Sequence, residues 1–307
     1  MAATGRTGLA SWRGRARAGL ASDDSNRRSP VRRALFALCL GCLVPCATTE
    51  RAAGQQESTS LASELPTVAG NQDRDTHPLA ATLKWVKEEI AFLERNVGDY
   101  SATLFSRERV EGTLGDYETV ALKIRHHPFS VYACTLTPQN RKGNEAIYVE
   151  GKYDSKLMVH AASGAAAIFG MISLDPTSSI ALRGRRHPIT EIGVLNICRG
   201  VQQYVESDLQ YPESQVRMLR NAKVEGRLCS FIEIRHPVRR PYFKFHLLRL
   251  FVDEELKIPI RYEQHDWPAE VGGPPLLVEE YTYLQVKLNN GFTDGDFDPS
   301  NPQYGFP

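Results

Sequence analysis

Phe243-Lys244-Phe245-His246-Leu247-Leu248-Arg249-Leu250-Phe251-Val252-Asp253, followed by Ile258-Pro259-Ile260-Arg261-Tyr262-Glu263, is the stretch that decides the fold. Side chains of an extended chain alternate between two faces, so Phe243, Phe245, Leu247 and Phe251 fall on one side. Lys244 and His246 fall on the other with Leu248 and Leu250. Asp253-Glu254 supplies turn chemistry between two runs of this kind, which makes the stretch a β-hairpin.

Working outward, the same period predicts strands over 100–110, 117–125, 130–136, 145–149, 157–160, 228–235, 243–252, 259–264 and 278–288. Gly112, Gly115-Asp116, Gly143-Asn144, Gly151 and Gly272-Gly273 punctuate them. Two segments carry the helical period instead. Leu79, Leu83, Val86, Ile90 and Leu93 predict a helix over 78–96, with Pro78 in its first turn and Gly98 beyond its end. Ile192, Leu195, Cys198, Val201 and Val205 predict a second over 190–205, with Thr190 as its cap. The helices interrupt the strand series and do not alternate with it. The expected fold is therefore α+β and mostly antiparallel, one large curved sheet wrapped round a few helices in a single domain over 77–307.

The residues before that domain are of another kind. Residues 1–33 carry eight arginines against Asp23 and Asp24 with hardly any apolar periodicity, and read as a disordered leader. Residues 34–54 begin with the apolar block Ala34–Val44 behind Arg32-Arg33, too short for a membrane span of roughly 20 residues, and read as an export signal with small residues at Ala52-Ala53-Gly54. An uncleaved anchor and a lipoprotein are the alternatives. Residues 55–76, rich in Ser, Thr, Gln and Ala, read as a linker. The expected compartment is the periplasm or cell envelope.

Without the leader, whose net charge is about +6 by that residue count, the chain changes from +1 to about −5. A chain of that sign has no global attraction to nucleic acid or to an anionic membrane. Cys39, Cys42 and Cys46 lie in the export segment. Cys134, Cys198 and Cys229 are odd in number and well separated, and read either as one bridged pair with a spare thiol or as free buried thiols.

Several stretches carry a resemblance. Asp99-Tyr100-Ser101-Ala102-Thr103-Leu104, Lys123-Ile124-Arg125 leading to Pro128-Phe129-Ser130-Val131-Tyr132, and Glu145-Ala146-Ile147-Tyr148-Val149-Glu150-Gly151 resemble the bacterial family known as domain of unknown function 1571. So do Arg186-His187-Pro188-Ile189-Thr190-Glu191-Ile192-Gly193 and Asp296-Phe297-Asp298 with Asn301-Pro302. The resemblance covers about residues 77–305 and brings no activity with it. The order of elements and the hairpin quoted first are similar to the LolA/LolB-like lipoprotein carriers. That likeness implies an open half-barrel whose space between sheet and helices receives acyl chains.

Candidate site residues follow. Arg183, Arg185 and Arg186, just ahead of a helix starting at Thr190, suit a negatively charged headgroup, because a helix N-terminus and guanidinium groups both favour anions. A basic turn paired with nearby carboxylates is the plainer reading. Phe243, Phe245, Leu247 and Phe251 are the expected cavity lining, with Ile168 and Phe169 in a small, flexible segment over 161–170 that reads as a lid or as a packed loop. Arg107 and Arg109, alternating with Glu108, are expected in cross-strand ion pairs. His126 and His127 are expected on opposite faces of a strand end.

No metal spacing is found. Asp294, Asp296, Asp298 and Asn301 resemble a calcium loop but lack its glycine and closing glutamate, which favours a capped turn. The nucleophile-elbow, phosphate-loop, zincin and dinucleotide signatures are missing too, so no catalytic residue and no cofactor is expected. The expected function is a non-catalytic, exported binder of an apolar or lipid-like ligand. A fully packed structural or protein-interaction module of the envelope is the alternative.

Overall fold

The computed structural model describes residues 77–307, and the leader, export segment, linker and first three cysteines lie outside the described residues. Helix α1 (Ala80–Asn96) is followed by β1 (Asp99–Val110), β2 (Thr113–Leu114), β3 (Glu118–Arg125), β4 (Ser130–Thr137), β5 (Glu145–Val149), β6 (Leu157–His160) and β7 (Met171–Leu174). Helix α2 (Val194–Asp208) precedes β8 (Gln215–Val224), β9 (Arg227–Arg235), β10 (Leu247–Asp253), β11 (Pro259–Asp266) and β12 (Leu276–Leu288). Among the described residues no helix is long and apolar enough to cross a membrane.

All strands join one antiparallel sheet in the order β7-β6-β5-β4-β3-β1-β12-β11-β10-β9-β8, with β2 paired to β1 off that path. No pairing joins β7 to β8, so the sheet is open. The pairing of β12 with β1 brings the chain's two runs of strands into one surface. The architecture is the expected α+β half-barrel, mostly antiparallel, with two helices against the sheet.

Alternation decides which side chains meet the helices. Val120, Leu122 and Ile124 of β3 pack in one buried cluster with Tyr100, Leu104, Tyr283, Leu93 of α1 and Val194, Leu195 and Cys198 of α2. Further along the sheet, Ile232, Ile234, Leu248, Leu250, Val252 and Tyr262 form a second cluster with Val86 of α1 and Val201 and Val205 of α2. The two helices thus lie across the sheet, and their side chains fill the space against it.

The opposite face of β3–β6 is closed by the segment that follows β12. Phe297 is buried in a third cluster with Tyr132, Ile147, Val149 and Met158. Tyr304 stacks on Tyr132 at 3.9 Å, and Lys123 Nζ reaches both Asp296 (3.0 Å) and the Tyr304 hydroxyl (3.0 Å). The Asp99 carboxylate accepts the backbone N–H groups of Asn290, Gly291 and Phe292, turning the chain onto that face. The acidic run ends in the capped turn expected of it: Thr293 and Asp296 exchange hydrogen bonds as a capping box.

Three expectations need correction. The second helix starts at Val194, four residues later than Thr190, and Thr190 lies in a 3-10 turn (Ile189–Glu191). Its N-cap is Gly193, with φ of 110°, where a Cβ would sit 2.9 Å from the Tyr100 hydroxyl, so only glycine fits. That hydroxyl accepts the Val194 N–H at 3.0 Å in place of a side-chain cap. Second, β10 begins at Leu247, so Phe243 and Phe245 precede the strand. Third, Arg107 and Arg109 bond backbone carbonyls, those of Gly115, Leu277 and Gly112, and make no ion pair among the described residues.

Candidate functional site

Buried and half-buried carboxylates gather at one end of the helix-facing side of the sheet. Glu108 of β1 stands directly opposite Glu279 of β12, and Glu118 of β3 opposite Ser106. Like charges facing each other across strands repel, and burial makes that worse. The segment between β7 and α2 supplies the compensation. Arg186 Nε meets Glu279 Oε2 at 2.8 Å while the Arg186 backbone N–H donates to Glu108 Oε2 at 2.8 Å. Arg185 meets Glu118 at 3.0 Å, where Arg141 also approaches at 3.4 Å.

His187 completes the arrangement between Glu279 (2.9 Å) and Glu191 (3.0 Å). Its hydrogen bond to Glu279 outweighs burial and, with Glu191, pushes its pKa up to about 9, so it is a cation at neutral pH. Burial raises the Glu279 pKa, but His187 and Arg186 together hold it below the usual carboxylate value. The arginine segment is thus a strap pinned to the sheet. Arg183 is exposed and makes no ion pair among the described residues.

Beside the α2 N-terminus lies a cleft of about 420 Å³. Its apolar wall is Ile124, Phe129, Tyr148, Ile192 and Leu195, and its polar side chains are His126, His127, Glu150, Thr190, Asn196 and Arg199. The chain turns after β3, so His126 and His127 both line this cleft and do not point to opposite faces of a strand. A second recess of about 640 Å³ runs along the outer side of α1 beside Leu83, Lys84, Lys87 and Arg95.

The expected cavity-lining aromatics line neither space. Phe243 stacks on His236 at 3.8 Å, Phe245 packs with Leu248 and Leu250, and Phe251 leans on Phe231 at 4.7 Å from the opposite face of β10. All three are buried side chains packed against other side chains. Ile168 and Phe169 are 86% and 73% exposed on a 3-10 turn (Ala165–Phe169) flanked by Gly164 and Gly170. Thr190 alone among the expected site residues lines the cleft. His126 is read in the sequence only as one of two histidines at a strand end, and Arg199 is not read at all, although it lies one helical turn from Leu195 and Asn196, a spacing that puts all three beside one another.

Glu279 and Glu280 point to opposite faces, the latter to Arg261 (2.7 Å) and Tyr117 (2.5 Å). Cys134, Cys198 and Cys229 are free thiols. Among the described residues no group of three His, Cys, Asp or Glu is placed to hold a metal.

The described residues thus form an open antiparallel half-barrel with two helices against the sheet and a cleft beside the α2 N-terminus. The chain belongs to the DUF1571 family of proteins of unknown function, whose family model matches residues 97–306. It is similar to the Mycobacterium tuberculosis lipoprotein LppX at 11% identity and a TM-score of 0.40, over 71% of this chain and 100% of that one. It is similar as well to a putative outer membrane lipoprotein-sorting protein domain from Vibrio parahaemolyticus (10%, TM-score 0.35, 70% and 95%). A LolA superfamily protein from Nitrosomonas europaea gives 10% identity and a TM-score of 0.30 over 70% and 97%. No curated protein matches the chain.

Proposed function

We propose that this is an exported, non-catalytic protein of the cell envelope that binds an apolar or lipid-like ligand, in the manner of a lipid or lipoprotein carrier. The observation that carries the reading is the cleft between the α2 N-terminus and strands β3–β5, where Ile124, Phe129 and Leu195 offer an apolar wall beside Arg199 and Thr190. A volume of about 420 Å³ suits part of an amphiphile, one headgroup with a short length of chain. In this reading Arg185 and Arg186 hold the strap ahead of the cleft, and Arg183, exposed and without an ion pair among the described residues, is available to an anionic surface or headgroup.

The test is native mass spectrometry of the protein purified gently from its own envelope, followed by organic extraction. A reproducible excess mass that resolves into lipid or acyl species supports the carrier reading. A clean apo mass with no uptake of offered lipids overturns it. That second outcome favours an interaction module, for which the filled interior and the exposed Ile168 and Phe169 are the supporting observations.

A further inference from the structure

Exposed apolar side chains are not spread evenly over the protein. Strand register gathers Thr137, Glu145, His160 and Met171 at one end of the sheet. Arg235, Leu247 and Asp266 reach the same end on the other run, the two runs meeting where Glu108 stands opposite Glu279. Among the described residues, seven of the ten exposed large apolar or aromatic side chains lie at that end. Leu136, Ile168, Phe169 and Met171 stand at one corner, Val238 and Val271 at the other, and Tyr117 between them. Leu228 alone lies at the opposite end, with Ile180 in the connection ahead of α2 and Met218 within β8. So lopsided a distribution marks this end as a contact surface.

Basic charge follows the apolar side chains. The connections over 138–144 and 161–170 touch, the Ala162 N–H donating to Asn144 Oδ1 at 3.1 Å, and they carry Arg141 and Lys142 with no acidic residue. At the other corner the connections over 236–246 and 267–275 carry exposed Arg239, Arg240 and Lys244 against Glu270. Arg239 lies 5.8 Å from the centre of the Trp267 ring. Arg141 is shared with Glu118 and Arg240 with Glu213. The acidic Glu111 and Asp116 sit between the two corners, beside Tyr117. Each corner is thus basic on a chain whose residues 55–307 sum to about −5.

We propose that these two corners rest on an anionic lipid bilayer. Ile168, Phe169, Val238 and Val271 enter the interface, while Lys142, Arg239, Arg240 and Lys244 meet headgroup phosphates. A protein partner needs a contiguous packed core to bind against. Here the apolar groups stand on separate loop tips with cations beside them, an arrangement that a bilayer boundary accepts one tip at a time. Trp267, beside Arg239, has the amphipathic ring that settles at headgroup level. None of these residues lines the cleft, so the surface stands whatever the cleft holds.

The experiment is co-sedimentation of the full chain with vesicles of phosphatidylglycerol and phosphatidylethanolamine in equal parts, and with vesicles of phosphatidylcholine alone, joined to hydrogen exchange on the bound protein. The expected result is binding to the anionic vesicles that weakens as salt rises from about 0.1 to about 0.5 M. Protection should appear at 161–170 and 267–275 and not at 225–228. Ile168→Ser combined with Phe169→Ser should weaken binding about tenfold or more, with an unchanged thermal midpoint because both side chains are exposed. Lys142→Glu combined with Arg239→Glu should remove the preference for anionic lipid, and Leu228→Ser should change nothing. Equal binding by parent and serine variant, or protection at 225–228 in place of 161–170, overturns the assignment. A parent that ignores both vesicles but cross-links through position 169 to one envelope protein overturns it too and makes the surface a protein interface.

Discussion

Arg186 and Glu279 meet at 2.8 Å on the inner side of the sheet, the carboxylate buried and the guanidinium one-third exposed. Removing one partner from such a pair leaves an uncompensated buried charge, which is the costly half of the experiment. His187 also bonds Glu279 and softens the loss. Arg186→Ala is expected to lower stability by about 2–4 kcal/mol, read by urea unfolding. Arg186→Met combined with Glu279→Gln should recover most of it, and a single variant indistinguishable from the parent would show that the strap is not held by this pair.

His187 makes the strap sensitive to alkaline pH. Its folded-state pKa is raised to about 9 from an ordinary value of 6.5. The stabilisation is therefore complete below pH 6.5 and is lost as the pH rises through about 9. Thermal unfolding across that window should show a decline that His187→Gln flattens.

Glu89 gives a pH dependence from a different cause. Burial raises its pKa from 4.5 to about 7 against the opposing charge of Lys257, and its Oε1 has no hydrogen-bond partner among the described residues. A carboxyl group with a raised folded-state pKa costs stability as it ionises, so the protein should weaken between pH 4.5 and 7. The full difference is about 3 kcal/mol. Glu89→Gln should remove it and leave the variant more stable than the parent at pH 8, as measured by denaturant midpoint.

Phe297, in the segment that follows β12, is buried against Tyr132, Ile147 and Met158. Phe297→Ala is expected to cost about 3–5 kcal/mol in unfolding free energy. It should also speed hydrogen exchange in β4 and β5 more than in β9 and β10, which lie on the other run of the sheet. Uniform acceleration across all four strands would contradict a local role for the ring.

The parts legible in the sequence were those where one face of an element is buried and the period is unbroken. The strand β3 alternates Val120, Leu122 and Ile124 inward with Lys123 and Arg125 outward, and its end at Arg125 was predicted to the residue. The edge strand β8 went unread. Most of its side chains are exposed, and a register shift between Leu219 and Ala222, with Asn221 at φ of 64°, breaks its alternation. The β10 start was misplaced because Phe243 and Phe245 keep the period of a strand while packing as a buried loop. The cleft was illegible for a different reason. His126 and Phe129 follow β3, Tyr148 and Glu150 lie at the end of β5, and Thr190 to Arg199 belong to α2 and the turn before it, and only the fold sets them side by side.

The segment over 292–306 fixes an order of events as well as a shape. It follows in the chain every strand that it covers, so the outer face of β3–β6 has no apolar cover until the ribosome has passed the whole sheet. Tyr132, Ile147 and Met158 must wait for Phe297 and Tyr304. A nascent chain of this design cannot complete its native surface early, and this face closes only when synthesis is nearly over.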